Sequence, residues 1–135
     1  KKMKILLAED DFVTRKYMAN FLSKYGSCDV TVDGMEAVDA FMLALEEGEP
    51  YDLVCLDIMM PVMDGYQALM GIRNLEKGKN IPEDKKVKVI MATALNEEKN
   101  VKMAFDLGCT IYSGKPIDQA KFEQALKKIG LIDEK

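Results

Sequence analysis

Leu53-Val54-Cys55-Leu56-Asp57 is an apolar run closed by an acid, followed by Ile58-Met59-Met60-Pro61-Val62-Met63-Asp64-Gly65. A short continuous apolar run bounded by turn residues reads as a strand covered on both faces, as strands of a parallel sheet are. Pro61 and Gly65 punctuate the turn that follows. The pattern recurs on either side. Ile5-Leu6-Leu7-Ala8 ends in Glu9-Asp10-Asp11, Val87-Lys88-Val89-Ile90-Met91-Ala92 ends in Thr93, and Thr110-Ile111-Tyr112 is followed by Lys115-Pro116. Together with a more polar segment these runs predict five strands, at 3–8, 28–32, 52–56, 87–92 and 110–112.

Between the strands the hydrophobic period changes to that of a helix. The first helix is expected over 12–24, stopping near Gly26. Met35, Val38, Met42 and Leu45 mark the second, and Val101, Ala104 and Phe105 the fourth. Phe122, Ala125, Leu126 and Ile129 mark the fifth at i, i+3, i+4 and i+7. Asp64 is placed to cap the third helix, which starts at Gly65. Strands alternating with helices predict an α/β fold with a doubly wound parallel sheet. The stretch 77–86, with Gly78, Pro82 and several charges, reads as a solvated loop at the far end of the sheet.

The 135 residues suffice for one domain with a real core. A net charge of −4 argues against nucleic acid as a direct partner. No stretch approaches the ~20 apolar residues of a membrane span, and no signal peptide is visible. Cys28, Cys55 and Cys109 are odd in number and lack Cys-x-x-Cys spacing, so free thiols in a reducing, cytoplasmic setting are expected. The chain has no histidine. That excludes a Ser-His or Cys-His nucleophile within it, and any phosphohistidine formed on it.

In a parallel sheet the strand ends share one edge, the crevice where such folds bind ligands. Here that edge carries acids, a hydroxyl and an amine, the set needed for magnesium-dependent phosphorylation of an aspartate. Asp57 is the expected nucleophile, since a carboxylate attacking phosphorus gives an acyl phosphate. Mg2+ takes oxygen ligands and neutralises phosphoryl charge. Asp11 and Asp57 are expected to bind it directly, with the backbone carbonyl of Met59, and Asp10 directly or through water. Alone, Glu9-Asp10-Asp11 would read as a helix N-cap; beside Asp57 it reads as a metal site. Lys115 offers a positive charge to the carboxylates and to a phosphoryl oxygen, and a cis Lys115-Pro116 bond would aim it inward. Thr93 can donate its hydroxyl to the same group, and Ala94 leaves room beside Asp57.

These motifs (Glu9-Asp10-Asp11, Leu56 to Gly65, Ala92-Thr93-Ala94 and Lys115-Pro116) resemble those of response-regulator receiver domains, the phospho-acceptor half of two-component signalling. The resemblance covers nearly the whole chain. It implies a flavodoxin-like sheet of order 2-1-3-4-5 with five helices, and phosphoryl uptake on Asp57 from a histidine kinase or phosphotransfer protein. It further implies Mg2+ held by Asp10 and Asp11, phosphoryl contacts from Thr93 and Lys115, and a switch in which Tyr112 follows Thr93 inward. The switch would reshape the face of the fourth helix, fifth strand and fifth helix for a downstream protein, an output domain or a second copy. Kinase docking is expected over Arg15, Met18, Ala19, Leu22, Pro116 and Ile117. Polar residues that position a hydrolytic water in this family are replaced here by Met59 and Leu95, so slow dephosphorylation is expected.

The resemblance implies no turnover beyond the domain's own phosphorylation and dephosphorylation. A haloacid-dehalogenase-type phosphatase would need a second acid at Met59. A flavodoxin-like cofactor binder would need a phosphate loop where Glu9-Asp10-Asp11 stands. A pseudo-receiver that never takes phosphate stays open, as does the receiver half of a longer regulator. The final helix closes without an evident linker, which favours a stand-alone domain.

Overall fold

The computed structural model describes residues 2–94 and 101–133. In chain order the elements are β1 (Met3–Ala8), α1 (Phe12–Leu22), β2 (Gly26–Thr31), α2 (Gly34–Glu46), β3 (Leu53–Asp57), α3 (Gly65–Gly78), β4 (Lys88–Thr93), α4 (Val101–Asp106), β5 (Ile111–Gly114) and α5 (Gln119–Lys128). The strands form one parallel sheet in the order β2-β1-β3-β4-β5. This is the doubly wound, flavodoxin-like arrangement with five helices.

Side chains alternate across the sheet with a period of two. Leu6, Val54, Leu56, Val89 and Met91 enter one core with Phe41 of α2, Leu69 and Ile72 of α3 and Ala104 of α4. Ile5, Leu7, Leu53, Cys55 and Ile90 enter the other, with Met18, Phe21 and Leu22 of α1 and Phe122 and Leu126 of α5. The inner strands β1, β3 and β4 are therefore apolar on both faces along most of their length.

Aspartates start four of the helices. Asp11, Asp33, Asp64 and Asp118 each accept a backbone N–H from the first turn, and Asp64 does so in a reciprocal capping box with Gln67. Such caps contribute about 1 kcal/mol each.

The expected element bounds need correcting at the edges. β2 begins at Gly26 rather than 28, and β5 runs to Gly114 rather than 112. Both are edge strands whose outer positions face water, so apolar periodicity does not mark their ends. α1 stops at Leu22, because Ser23 caps it onto the carbonyls of Ala19 and Phe21. The 77–86 stretch is less irregular than expected: α3 continues to Gly78, and Glu83–Lys85 forms a 3-10 turn.

At this basal end lies a buried ionic network. Arg73 of α3 pairs with Glu76 at 2.7 Å. It also donates to the carbonyls of Val87 and Gly108. Glu76 accepts the Val87 N–H at 2.7 Å. The network ties α3 to the entry of β4 and to the α4–β5 turn. The three cysteines are free, with Cys55 and Cys109 buried.

Candidate functional site at the carboxyl edge of the sheet

Four strands deliver the site. β1 ends at Ala8, yet the Glu9 N–H still bonds the Thr31 carbonyl of β2 at 3.1 Å. The ladder thus extends one residue past the apolar run, and Glu9 is turned inward, only 1% exposed. Asp57 is the last residue of β3 and is 5% exposed; Thr93 is the last of β4 and is also buried. Lys115 follows β5, with its N–H bonded to the Thr93 carbonyl at 2.9 Å. The Lys115-Pro116 peptide is cis, as the sequence suggested.

The Lys115 ammonium lies between two acids, 2.6 Å from Glu9 Oε1 and 2.9 Å from Asp57 Oδ1. Carboxylate oxygens of Glu9, Asp10 and Asp57 all lie within 4.8 Å of one another. Three acids against one base leave the cluster short of positive charge. Burial above all, then the neighbouring charge of Glu9 and the nearby Asp10 carboxyl, push the Asp57 carboxyl up to about 7 against the pull of Lys115. Burial works against the charge on Lys115, but its bonds to Glu9 and Asp57 outweigh it and raise its pKa. Oxygen donors at close quarters with a deficit of positive charge fit a hard divalent cation.

Asp11 does not join this cluster, which corrects the expectation that it binds metal directly. Its Oδ2 accepts from the Thr14 N–H at 2.9 Å and the Thr14 hydroxyl at 2.7 Å. Those bonds, the hydroxyl first, hold its carboxyl below the usual range. The physical reason is the start of α1: a cap residue must fold its side chain back over the first turn. Glu9 takes the place assigned to Asp11. The sequence carries no mark of this, since three acids follow the strand; the Glu9 N–H bond to Thr31 decides which one turns inward.

The β3–α3 turn is drawn tightly against the strand ends. The Ile58 N–H bonds the Ala92 carbonyl, and the Gly65 N–H bonds the Ile58 carbonyl. A side chain at Gly65 would strike the Asp57 carbonyl, so only glycine lets the turn close here. Met59 and Val62 project from the turn, 61% and 78% exposed. Val62 has φ 68°, a left-handed conformation that a β-branched residue rarely adopts.

The expected kinase-docking residues divide. Met18, Leu22 and Ile117 are buried in the α1–α5 core and expose very little surface. Arg15 donates to the carbonyls of Glu9 and Asp10, bracing the β1–α1 turn. The open groove between α1 and the β5–α5 turn, about 640 Å³, is lined by Val13, Thr14, Tyr17, Ala94 and Pro116 together with Asp11 and Lys115, and Met18 and Ile117 also reach it. Tyr112 lies half-buried against the α2–α3 core, and its hydroxyl has no hydrogen-bond partner among the described residues. Leu95 lies outside the described residues.

A parallel sheet of this order with acids and a lysine gathered at its carboxyl edge defines a class of signalling domain. The chain belongs to the response regulator receiver domain family, whose sequence model matches residues 5–127. It is 33% identical over 128 residues to the chemotaxis protein CheY of Treponema pallidum, covering 93% of this chain and 81% of that protein. It is 31% identical over 134 residues to probable histidine kinase 2 of Oryza sativa subsp. indica, spanning 92% of this chain but 12% of the kinase. Among solved structures it is similar to the CheX–CheY–BeF3–Mg2+ complex of Borrelia burgdorferi, with TM-score 0.76, 30% identity and coverage of 94% of this chain and 88% of that one. It is also similar to the receiver domain of the Saccharomyces cerevisiae response regulator Ssk1 in complex with the phosphotransfer protein Ypd1, with TM-score 0.79, 27% identity and coverage of 98% and 94%. Among the described residues no helix is long and apolar enough to cross a membrane.

Proposed function

We propose that this receiver domain accepts a phosphoryl group on Asp57 and relays the signal by changing a protein-binding face. The observation that carries the reading is Lys115 seated between Asp57 and Glu9, with Asp10 beside them at the strand ends. An Asp57 oxygen attacks phosphorus, the P–N bond of a phosphohistidine breaks, and the leaving imidazole takes a proton from water. The donor is a histidine kinase or phosphotransfer protein, in keeping with the Ssk1–Ypd1 relative. Glu9, Asp10, Asp57 and the Met59 carbonyl would hold Mg2+. When bound, that ion neutralises the acids and the transferring phosphoryl oxygens. Lys115 and Thr93 supply the remaining phosphoryl contacts from β5 and β4.

The partner docks over the exposed rim of the groove, Val13, Tyr17 and Pro116, rather than over Met18, Leu22 and Ile117. Phosphorylation draws Thr93 toward the added charge, and Tyr112 follows, altering the α4–β5–α5 face for a downstream protein, an output domain or a second copy. The domain turns over no other substrate, and we place it in the cytoplasm. Met59 offers no hydrogen bond to a hydrolytic water, so the phosphoprotein is long-lived.

Intact mass after incubation with Mg2+ and a small phosphoryl donor tests this. A single phosphoryl adduct is expected in wild type, absent with EDTA and absent in Asp57→Asn. An adduct that survives in Asp57→Asn would overturn the assignment, and decay within seconds would overturn the claim of a long lifetime.

A further inference from the structure

We propose that Glu9 is a positioning residue: its carboxylate tethers the Lys115 ammonium at the site independently of Asp57 and so delivers it to the incoming phosphoryl oxygen. The inference rests on the phospho-acceptor reading of Asp57. Of the two ion pairs made by Lys115, the one to Glu9 is the shorter, 2.6 Å against 2.9 Å. Glu9 is 1% exposed and fixed from every side. Its Oε2 accepts the Asp11 N–H at 3.1 Å. Its N–H is bonded to Thr31, and its carbonyl accepts from Arg15 Nη1 at 3.0 Å.

The two acids differ in what the reaction does to them. Once an Asp57 oxygen is bonded to phosphorus, Asp57 is no longer a carboxylate partner for the lysine. Glu9 keeps its charge throughout. A lysine held by Asp57 alone would be released as the reaction proceeds; one held by Glu9 stays within reach of the new phosphoryl oxygens. The reach also depends on side-chain length. An aspartate at this position is shorter by about 1.5 Å, which takes the 2.6 Å contact out of hydrogen-bond range.

The test compares wild type with Asp57→Asn, Glu9→Gln and Glu9→Asp. Exchange of the Lys115 ammonium protons, read by 15N NMR in metal-free, unphosphorylated protein, reports the tether directly. The rate of phosphorylation by a small donor at saturating Mg2+ reports its consequence. Slow exchange is expected in wild type and to persist in Asp57→Asn, and to rise at least about tenfold in both Glu9 variants. Glu9→Asp is expected to slow phosphorylation at saturating Mg2+ about tenfold. Slow exchange retained in Glu9→Asp, or fast exchange in Asp57→Asn, would overturn the proposal. So would a Glu9→Asp variant that phosphorylates at the wild-type rate. A wild-type domain that takes no phosphoryl group would defeat the phospho-acceptor reading and with it delivery, whereas the exchange rates decide the tether itself.

Discussion

The sheet carries a buried ionic cluster at each end, and the two are built in opposite ways. At the basal end Arg73 meets one acid, Glu76, and every strong contact is matched: two backbone carbonyls on the guanidinium and a backbone N–H on the carboxylate. At the carboxyl edge Lys115 faces Glu9 and Asp57, with Asp10 close by. The first cluster is neutral and locks β4 and the α4–β5 turn to α3. The second is short of positive charge and so is primed for a cation. Burial alone does not mark a functional acid; an unmatched charge does.

Breaking the balanced cluster should have the largest effect. Arg73→Met leaves Glu76, 2% exposed, as an uncompensated buried charge, which costs about 3 kcal/mol or more. Urea denaturation is expected to show that loss, with phosphorylation on Asp57 retained in the folded protein. If Arg73→Met is nearly neutral, the basal cluster is not a lock.

The unbalanced cluster should respond with the opposite sign. The Asp57 carboxyl is raised from 3.8 to about 7 on folding. The folded chain therefore holds a proton that the unfolded chain has lost. Without Mg2+, stability falls as pH rises from about 4 to about 7, and the penalty is complete above that. Asp57→Asn removes a charge that sits unhappily in the fold. It is expected to raise stability at pH 8 by on the order of 2 kcal/mol, and to flatten the slope between pH 4 and 7. Denaturation at pH 5 and pH 8 checks both.

Two smaller changes sharpen the contrast between strain at the site and ease elsewhere. Val62→Gly relieves a left-handed β-branched residue and should gain about 1 kcal/mol in the same assay. Tyr112→Phe removes a buried hydroxyl with no partner among the described residues. Its effect on stability should lie between zero and a gain of about 1 kcal/mol. A loss would mean that the hydroxyl is hydrogen-bonded in solution.

How much of this was legible in the sequence follows the same division. β1, β3 and β4 are apolar on both faces and could be read from composition alone. The acid ending β3 and the lysine after β5 could be placed because strand ends in a parallel sheet share an edge. The run Glu9-Asp10-Asp11 was misread by one residue. Three adjacent acids carry no mark of which still lies in the ladder; the Glu9 N–H bond to Thr31, 22 residues away, decides it. Arg73 and Glu76 gave no signal at all. An i, i+3 charge pair on a helix reads as solvated surface, and its burial depends on Val87 and Gly108, which the fold brings in from 14 and 35 residues away. The docking face expected on α1 comes from the resemblance, which points to the helix; which side of it faces water is decided by the packing of Met18 and Leu22 against α5.

The most direct test of the central claim is the effect of Mg2+ on unfolding, measured by urea denaturation at pH 8 with saturating Mg2+ and with EDTA, in wild type and Asp57→Asn. The unmatched charge at the carboxyl edge predicts that Mg2+ stabilises wild type by at least about 1.4 kcal/mol and Asp57→Asn by far less. Equal stabilisation of both, or none in wild type, would contradict it.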